Sequence, residues 1–459
     1  MESLVFRRIL ILVACLTALG AACSSQKAPE PAPSQTNAQS QNAAPAKKAP
    51  AARKARRSRD LKLPKPRSYK SLNARLNTRL QSHKEALGRK RTSAVLEQLA
   101  IAYMDKARLT GQPSVLDLAQ EALNDALKLP DAKVPQLRLT RAEFMLLSGR
   151  NDSVKAELDA IEFEKLKTRQ QARHLVLQGR LAGIEGRTDE ALGLYRKALR
   201  SHKRAWQPHA YSATLFFQAG KVEEGNKALT DALAVLKSSQ TLEAAWMFLE
   251  AGRAQIEWHS SDRGIEKVQR ARQLIAGWWQ PNAIEGQWLM LNRKDSVGVE
   301  MLDGVLKQHD DLLSVMALGL AMKAAGQNDR ALVNLHRAAD IFDAELKRNE
   351  RTPTAAMMSY LWSTEPSTDK TLGLARRFYE LRSDGLGALV LGRALLARQD
   401  AKAAAPLLER AYSQGMRSVV LLSALAQLRH RQGQKEKAKI LCEQANTLIP
   451  RSCKLSVGR

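Results

Sequence analysis

The chain has 459 residues, with 73 Lys and Arg against 46 Asp and Glu and a formal net charge of +27. Such an excess of one sign attracts polyanions and keeps copies apart, and it says nothing about fold. The eight histidines and four cysteines form no His-Glu-x-x-His and no Cys-x-x-Cys pair, and no glycine-rich phosphate loop follows a strand. The common metal-hydrolase, zinc-ribbon and nucleotide-binding patterns are thereby excluded.

The first 22 residues read as a signal peptide. Arg7 and Arg8 precede an apolar run, Ile9 to Ala22, that is too short to span a bilayer as a mature helix. The run ends in Leu19-Gly20-Ala21-Ala22-Cys23, which resembles the lipobox of bacterial lipoproteins, although Gly20 stands where Leu is typical. The resemblance implies lipidation at Cys23, and Ser24 in place of Asp implies the outer membrane, facing the periplasm. Leu12-Val13-Ala14-Cys15 is a better local string but leaves only about six apolar residues before it. Cleavage of an ordinary secretory signal near Ala18-x-Gly20 is the alternative, and it would leave Cys23 a plain thiol.

Residues 23–70 read as a tether. Ala, Pro, Ser and Gln dominate Gln26 to Ala46, with too few apolar groups to offset the entropy of ordering. Eleven cations from Lys47 to Lys70 are opposed only by Asp60, a block that repels itself and attracts polyanions. For an unexported chain, pI ≈ 10.1 would point first to nucleic acid. Export leaves acidic phospholipid, lipopolysaccharide, peptidoglycan and acidic proteins, and no nucleic acid is expected.

Residues 71–459 read as one helical array, and between residues 90 and 450 a spacing rule recurs about ten times. It reads Val315-x-x-Leu318-Gly319-x-x-Met322, then Gly326, then Ala331-x-x-x-Leu335-x-x-Ala338. The frame fits again at Leu175, Gly179, Gly186, Ala191, Tyr195 and Ala198, and at Leu391-Gly392, Leu395, Ala404, Leu408 and Ala411. The last copy runs through Leu422, Leu425-Ala426, Gly433, Ala438, Cys442, Ala445 and Pro450. A period of this length with two helical stretches predicts stacked helical hairpins. The small residue in each helix lets two helices approach closely, and bulky residues three and four positions away fill the layer between hairpins. Three units fit less well: one at Leu96, Leu99-Ala100 and Tyr103; one at Ala251 to Ala271, which needs a one-residue slip; and 354–381, with Ser359 and Thr371 at the small positions. Residues 70–90 read as an extra capping helix.

This combination resembles the tetratricopeptide repeat family. The resemblance implies an all-α solenoid, a right-handed superhelix of about ten hairpins whose first helices line a concave partner-binding groove. Carried onto this chain, the groove positions are Arg173, Arg180, Phe217, Lys323, Arg393, His430 and Arg431. Arginine there would hold carboxylates two-pronged, suiting an acidic protein partner. Trp278-Trp279, just before Pro281, is expected as an exposed aromatic contact. Cys442 and Cys453 can pair in an oxidising compartment, or Cys442 can serve as a small buried hydrophobe. Glu257-Trp258-His259-Ser260-Ser261-Asp262 collects triad residue types, but neighbours in a helix–helix turn do not make a triad. No enzyme, cofactor or metal is expected. The functional expectation is a lipid-anchored envelope scaffold that docks protein partners. The alternative is a polyanion-binding anchor contacting peptidoglycan or lipopolysaccharide.

Overall fold

The computed structural model describes residues 63–292, 295–450 and 452–455, so the signal peptide, Cys23 and the tether up to residue 62 lie outside the described residues. The chain is an α-solenoid of the tetratricopeptide type. A capping helix α1 (Tyr69–Arg89) precedes ten hairpins. They are α2/α3 (Ser93–Thr110, Pro113–Leu127), α4/α5 (Val134–Leu147, Asn151–Asp159), α6/α7 (Thr168–Ile184, Thr188–Ser201) and α8/α9 (Trp206–Gln218, Val222–Ala234). Next come α10/α11 (Thr241–His259, Asp262–Leu274), α12/α13 (Trp279–Leu291, Asp295–Leu306) and α14/α15 (Leu312–Ala324, Asn328–Asn349). The array closes with α16/α17 (Ala355–Thr364, Asp369–Leu381), α18/α19 (Gly385–Ala397, Ala401–Ser413) and α20/α21 (Val419–Arg431, Lys435–Leu448).

Local chemistry sets the ends of these helices. Ser68, Thr92, Asp311, Thr354, Thr368, Asp384, Asp400 and Ser418 cap helix N-termini, each accepting from a backbone N–H of the first turn. Gly186 and Gly326 end first helices with φ of 78° and 75°, a left-handed conformation that glycine adopts without steric cost.

Within each hairpin the small residues meet at the helix crossing. The hairpin α10/α11 shows this best: a Cβ on Gly252 would lie 2.6 Å from the Gly264 carbonyl, and one on Gly264 would lie 2.7 Å from the Gly252 carbonyl. Gly252 and Gly264 are twelve residues apart, as are Gly179 and Ala191 or Gly392 and Ala404. The expected one-residue slip at Ala251 is therefore corrected. Gly252 holds the crossing, and the frame is continuous.

A two-residue strand β1 (Arg67–Ser68) pairs in parallel with β2 (Ile275–Ala276). The Thr241 hydroxyl donates to the Lys65 carbonyl at 3.0 Å, and Leu63 packs into the core beside it. The tether boundary expected at residue 70 is thus corrected: residues 63–70 belong to the fold. Extended backbone here finds unpaired partners in the α11–α12 connection, a tertiary opportunity invisible in a run of cations.

The superhelix also packs against itself. The Leu109 and Thr110 carbonyls meet residues 278–279, Asn151 reaches the Leu381 carbonyl, and the Ile184 carbonyl accepts from the Asp384 amide. Arg417 N–H donates to the Trp258 carbonyl and Val419 N–H to the Ser260 hydroxyl. These contacts join residues about 160–230 apart in sequence, roughly five or six hairpins. Successive turns of the superhelix are therefore in contact.

Candidate partner-binding surface

Which side of each first helix faces inward follows from helical geometry. The small residue of each first helix faces its partner helix, and the next residue, rotated by about 100°, faces inward. Arg108, Glu143, Arg180, Arg253 and Arg393 hold this place, following Ala107, Ala142, Gly179, Gly252 and Gly392.

In the first hairpins these residues form a ladder. Arg79 pairs with Asp105 at 2.6 Å, Arg108 with both Asp105 and Glu143 at 3.0 Å, and Arg173 with Glu143 at 2.8 Å. Arg173 also donates to the Thr140 hydroxyl, which donates to Glu97 at 2.6 Å. Burial alone would raise the Glu143 pKa, but the Arg173 and Arg108 guanidiniums outweigh it and hold the carboxyl at about 2. Its side chain keeps 27% of its surface in solvent although protein surrounds it, as expected on a wetted inner wall.

A second cluster forms only because the turns close. Arg253 lies 3.3 Å from Glu250 and 4.0 Å from Glu257, all on α10. Arg382 and Asp384, some 130 residues later, join them; Arg382 grips Asp384 at 2.8 Å while Asp384 caps α18. Burial raises the Glu257 pKa more than Arg253 and Arg382 lower it, with Glu250 and Asp384 adding to the rise.

The expected groove residues divide. Arg173 and Arg180 lie on the inner wall, Arg173 within the ladder and Arg180 with its guanidinium 4.7 Å from the Tyr211 ring centre. Arg393 lies 4.1 Å from the Trp362 ring centre, across the gap between α16 and α18. Lys323 is exposed in the last turn of α14. His430 is half-buried, and Arg431 donates to the Leu396 carbonyl at 2.8 Å. Phe217 is a correction: it is 0% exposed, because its ring fills the space left by Gly225 on the facing helix.

Trp278 and Trp279 are the second correction, at 0% and 7% exposure. Their indole N–H groups donate to the Leu109 and Thr110 carbonyls at 2.9 and 3.1 Å, and Trp279 stacks on His309 with ring centres 4.0 Å apart. A loop tryptophan was expected to face solvent; here the first turn of the superhelix covers it, and the indoles satisfy two carbonyls at the end of α2. Cys442 and Cys453 are joined in a disulfide. Cys23 lies outside the described residues.

The residues from Glu257 to Asp262 serve structure. His259 Nε2 contacts the Phe217 and Gln218 carbonyls, the Ser260 hydroxyl accepts from Val419 N–H, and Asp262 accepts from the Trp288 indole. Among the described residues no group of three His, Cys, Asp or Glu is placed to hold a metal, and no helix is long and apolar enough to cross a membrane. Sequence reasoning missed Glu143, Arg253, Arg382 and Asp384. For Glu143 and Arg253 a signal was present, since each follows the small residue of its first helix; for Arg382 and Asp384 there was none.

No protein-family model and no curated protein matches the chain. Among solved structures it is similar to yeast Tom70, at 13% identity and TM-score 0.33 over 82% of this chain and 89% of that one. It is also similar to human IFIT1, described as a dimer with PPP-AAAA, at 16% identity and TM-score 0.40 over 83% and 88%. A second structure of the human IFIT1 dimer, with m7Gppp-AAAA, matches at 15% identity and TM-score 0.40, over 83% and 87%.

Proposed function

We propose that this chain is a non-enzymatic adaptor that holds an extended segment of a protein partner along its inner wall. The supporting observation is the wall itself. An interior that could have been closed with apolar side chains carries charge at this place in five of the ten first helices, at Arg108, Glu143, Arg180, Arg253 and Arg393, and leaves those side chains partly exposed. Such groups cost desolvation, and they add directionality and charge selectivity for a polar main chain.

In the finer reading, the adaptor is an outer-membrane lipoprotein facing the periplasm. It is anchored through Cys23, spaced by the Ala/Pro-rich tether, and docked into a multi-protein envelope machine of the pilus or secretin, gliding or cell-wall-synthesis kind. The Leu19–Cys23 string and the composition of residues 24–62 support this reading. Fractionation with lipid labelling tests it: the wild-type chain should partition with membranes and take up label, and Cys23→Ala should do neither. A labelled, membrane-bound Cys23→Ala chain sinks the anchor.

The adaptor is tested by affinity capture from envelope extract at low and moderate salt, with an Arg180→Glu, Arg253→Glu double variant as control. A discrete protein retained at moderate salt by the wild type and lost from a still-helical double variant supports it. The second reading, a polyanion-binding anchor, is favoured by α1, whose exposed Lys70, Arg75, Lys84 and Arg89 face only one acid on that helix, Glu85. Capture of wall fragments or lipopolysaccharide alone, released by moderate salt, would select it, because screening weakens exposed charge pairs first.

A further inference from the structure

The second helix of hairpin α14/α15 departs from its neighbours on the side turned to solvent. Two residues past the helix crossing, the hairpins from α6/α7 onward carry Gly193, Lys227, Glu266, Glu300, Gly373 or Pro406. In α15 the place is Val333, which keeps 68% of its surface exposed, and Leu332 beside it keeps 54%. Leu192, Ile265, Val299 and Leu372 hold the place of Leu332 in other hairpins, and each is half-buried. Only the last hairpin, with Ile440, repeats the apolar choice at the place of Val333. Two large apolar side chains left in water in the middle of an array mark a surface that the fold itself does not cover.

Beside Val333 lies a cleft of about 320 Å³ between α13 and α15. Both are second helices, and none of the charged first-helix residues of the inner wall lines it. Leu306, Leu318 and Met322 make an apolar floor, and Val333 makes one wall. Asn334 directs its amide N–H groups to the Met322 sulfur at 3.3 Å and the Arg330 carbonyl at 2.9 Å, so no donor is left over the floor. On α15 the lining residues stand at positions 330, 333, 334 and 337, the spacing of one helical face, so the cleft runs along the helix. A groove between two helices is the shape that the side-chain ridge of a third helix fills.

The edges of the cleft carry more cation than anion. Lys307 on α13 and Arg330 on α15 have no carboxylate partner among the described residues, and Arg330 holds only the Gln327 amide oxygen at 3.0 Å. Arg337 pairs with Asp310, and Asp303 is the one acid among the lining residues. This charge decides between occupants. A second copy brings a net +27, and the chain's own stretch from Lys47 to Lys70 brings eleven cations and one acid, so both meet repulsion. A flat anionic membrane would neutralise the edges but has no ridge to fill the cleft. We propose that the cleft between α13 and α15 is a second docking site, for an acidic amphipathic helix of a protein partner. Its apolar ridge lies on Leu306, Met322 and Val333, and its carboxylates flank that ridge toward Lys307 and Arg330. The site is separate from the inner wall and goes beyond the adaptor reading, since it lets the chain hold two segments at once.

The test uses the full chain carrying Cys23→Ala with labelled methionine methyl groups, the Met322 signal being assigned by its loss in Met322→Leu. The probe is an acetylated, amidated helical peptide of about 18 residues, five turns, with leucines on one face, glutamates flanking them and alanines elsewhere. Its controls are the same residues in scrambled order and the peptide with lysines in place of glutamates. At moderate salt the acidic peptide should move the Met322 methyl several-fold more than those of Met104 and Met247, which are buried in other hairpins. A Leu332→Ser, Val333→Ser double variant should bind it about ten-fold more weakly or worse, because two apolar contacts are lost. Lys307→Gln with Arg330→Gln should weaken it about three-fold, as expected for exposed charges. Both control peptides should bind about ten-fold more weakly than the probe.

Leu332 and Val333 are exposed, so the serine variant should keep the fold, which its circular dichroism checks. Equal binding of a control peptide, an unmoved Met322 methyl, or a serine variant that binds as the parent does overturns the proposal. A Met322 shift that grows with protein concentration, with a doubled mass in sedimentation, makes the cleft an interface between copies and also overturns it. Cosedimentation with phosphatidylglycerol vesicles that the serine variant loses does the same. The inner wall and the cleft fail separately. Arg180→Glu with Arg253→Glu should lose the partner captured from extract and leave the peptide response unchanged; a response lost in that variant places the peptide on the wall and overturns the cleft.

Discussion

Replacing Glu143 with Gln tests whether the ionic ladder holds the first hairpins together. The carboxyl titrates near 2 in the folded chain against an ordinary 4.5, a depression of about 2.5 pH units that corresponds to ~3 kcal/mol at neutral pH. With about a quarter of the side chain in solvent, screening makes this an upper figure. A depressed carboxyl contributes fully above its unfolded pKa and loses that contribution as pH falls through the folded one. The same relation leaves about 1.4 kcal/mol at pH 3 and almost nothing near pH 2. Urea unfolding of wild type and Glu143→Gln should therefore differ by about 2–3 kcal/mol at pH 7 and by half that or less at pH 3. Because a solenoid loses structure locally, hydrogen exchange should speed up in α2, α4 and α6 and stay unchanged beyond α16. A gap that is equal at pH 7 and pH 3, or below 1 kcal/mol at pH 7, would refute the electrostatic account.

Other consequences follow from packing. Trp279→Ala should cost ~3–5 kcal/mol, measured by chemical denaturation; a cost within experimental error would return this residue to the surface. Gly252→Ala forces a methyl against the Gly264 backbone and should cost about 2–3 kcal/mol. Gly373→Ala, in the interior of α17 with no atom near its Cβ position, should gain ~0.5–1 kcal/mol; melting curves that place the two variants together would undo the helix-crossing argument. Breaking the Cys442–Cys453 bond opens an 11-residue loop and should cost ~3 kcal/mol locally. Dithiothreitol should then speed exchange in α21 of the wild type and leave Cys442→Ala unaffected; a wild type insensitive to reductant would refute this.

The sequence by itself determined the repeat. Spacing between small residues is a local property, because each helix pair must meet at a point where no Cβ intrudes, and that demand recurs in every hairpin whatever lies elsewhere. It also singled out Arg173, Arg180 and Arg393 on first helices, where Arg173 meets Glu143 and the other two sit over aromatic rings. It misjudged the unit at Gly252 by one residue because Ala251 is equally small, and only the backbone contact between Gly252 and Gly264 separates them. What the sequence could not decide depends on contacts 160–230 residues apart, which no periodicity encodes. Closure of the superhelix buried Trp278 and Trp279, drew residues 63–70 into the fold, and brought Arg382 and Asp384 to Glu257. Contact across turns depends on the superhelical pitch, a sum of small rotations at every hairpin, which no single unit of the sequence fixes.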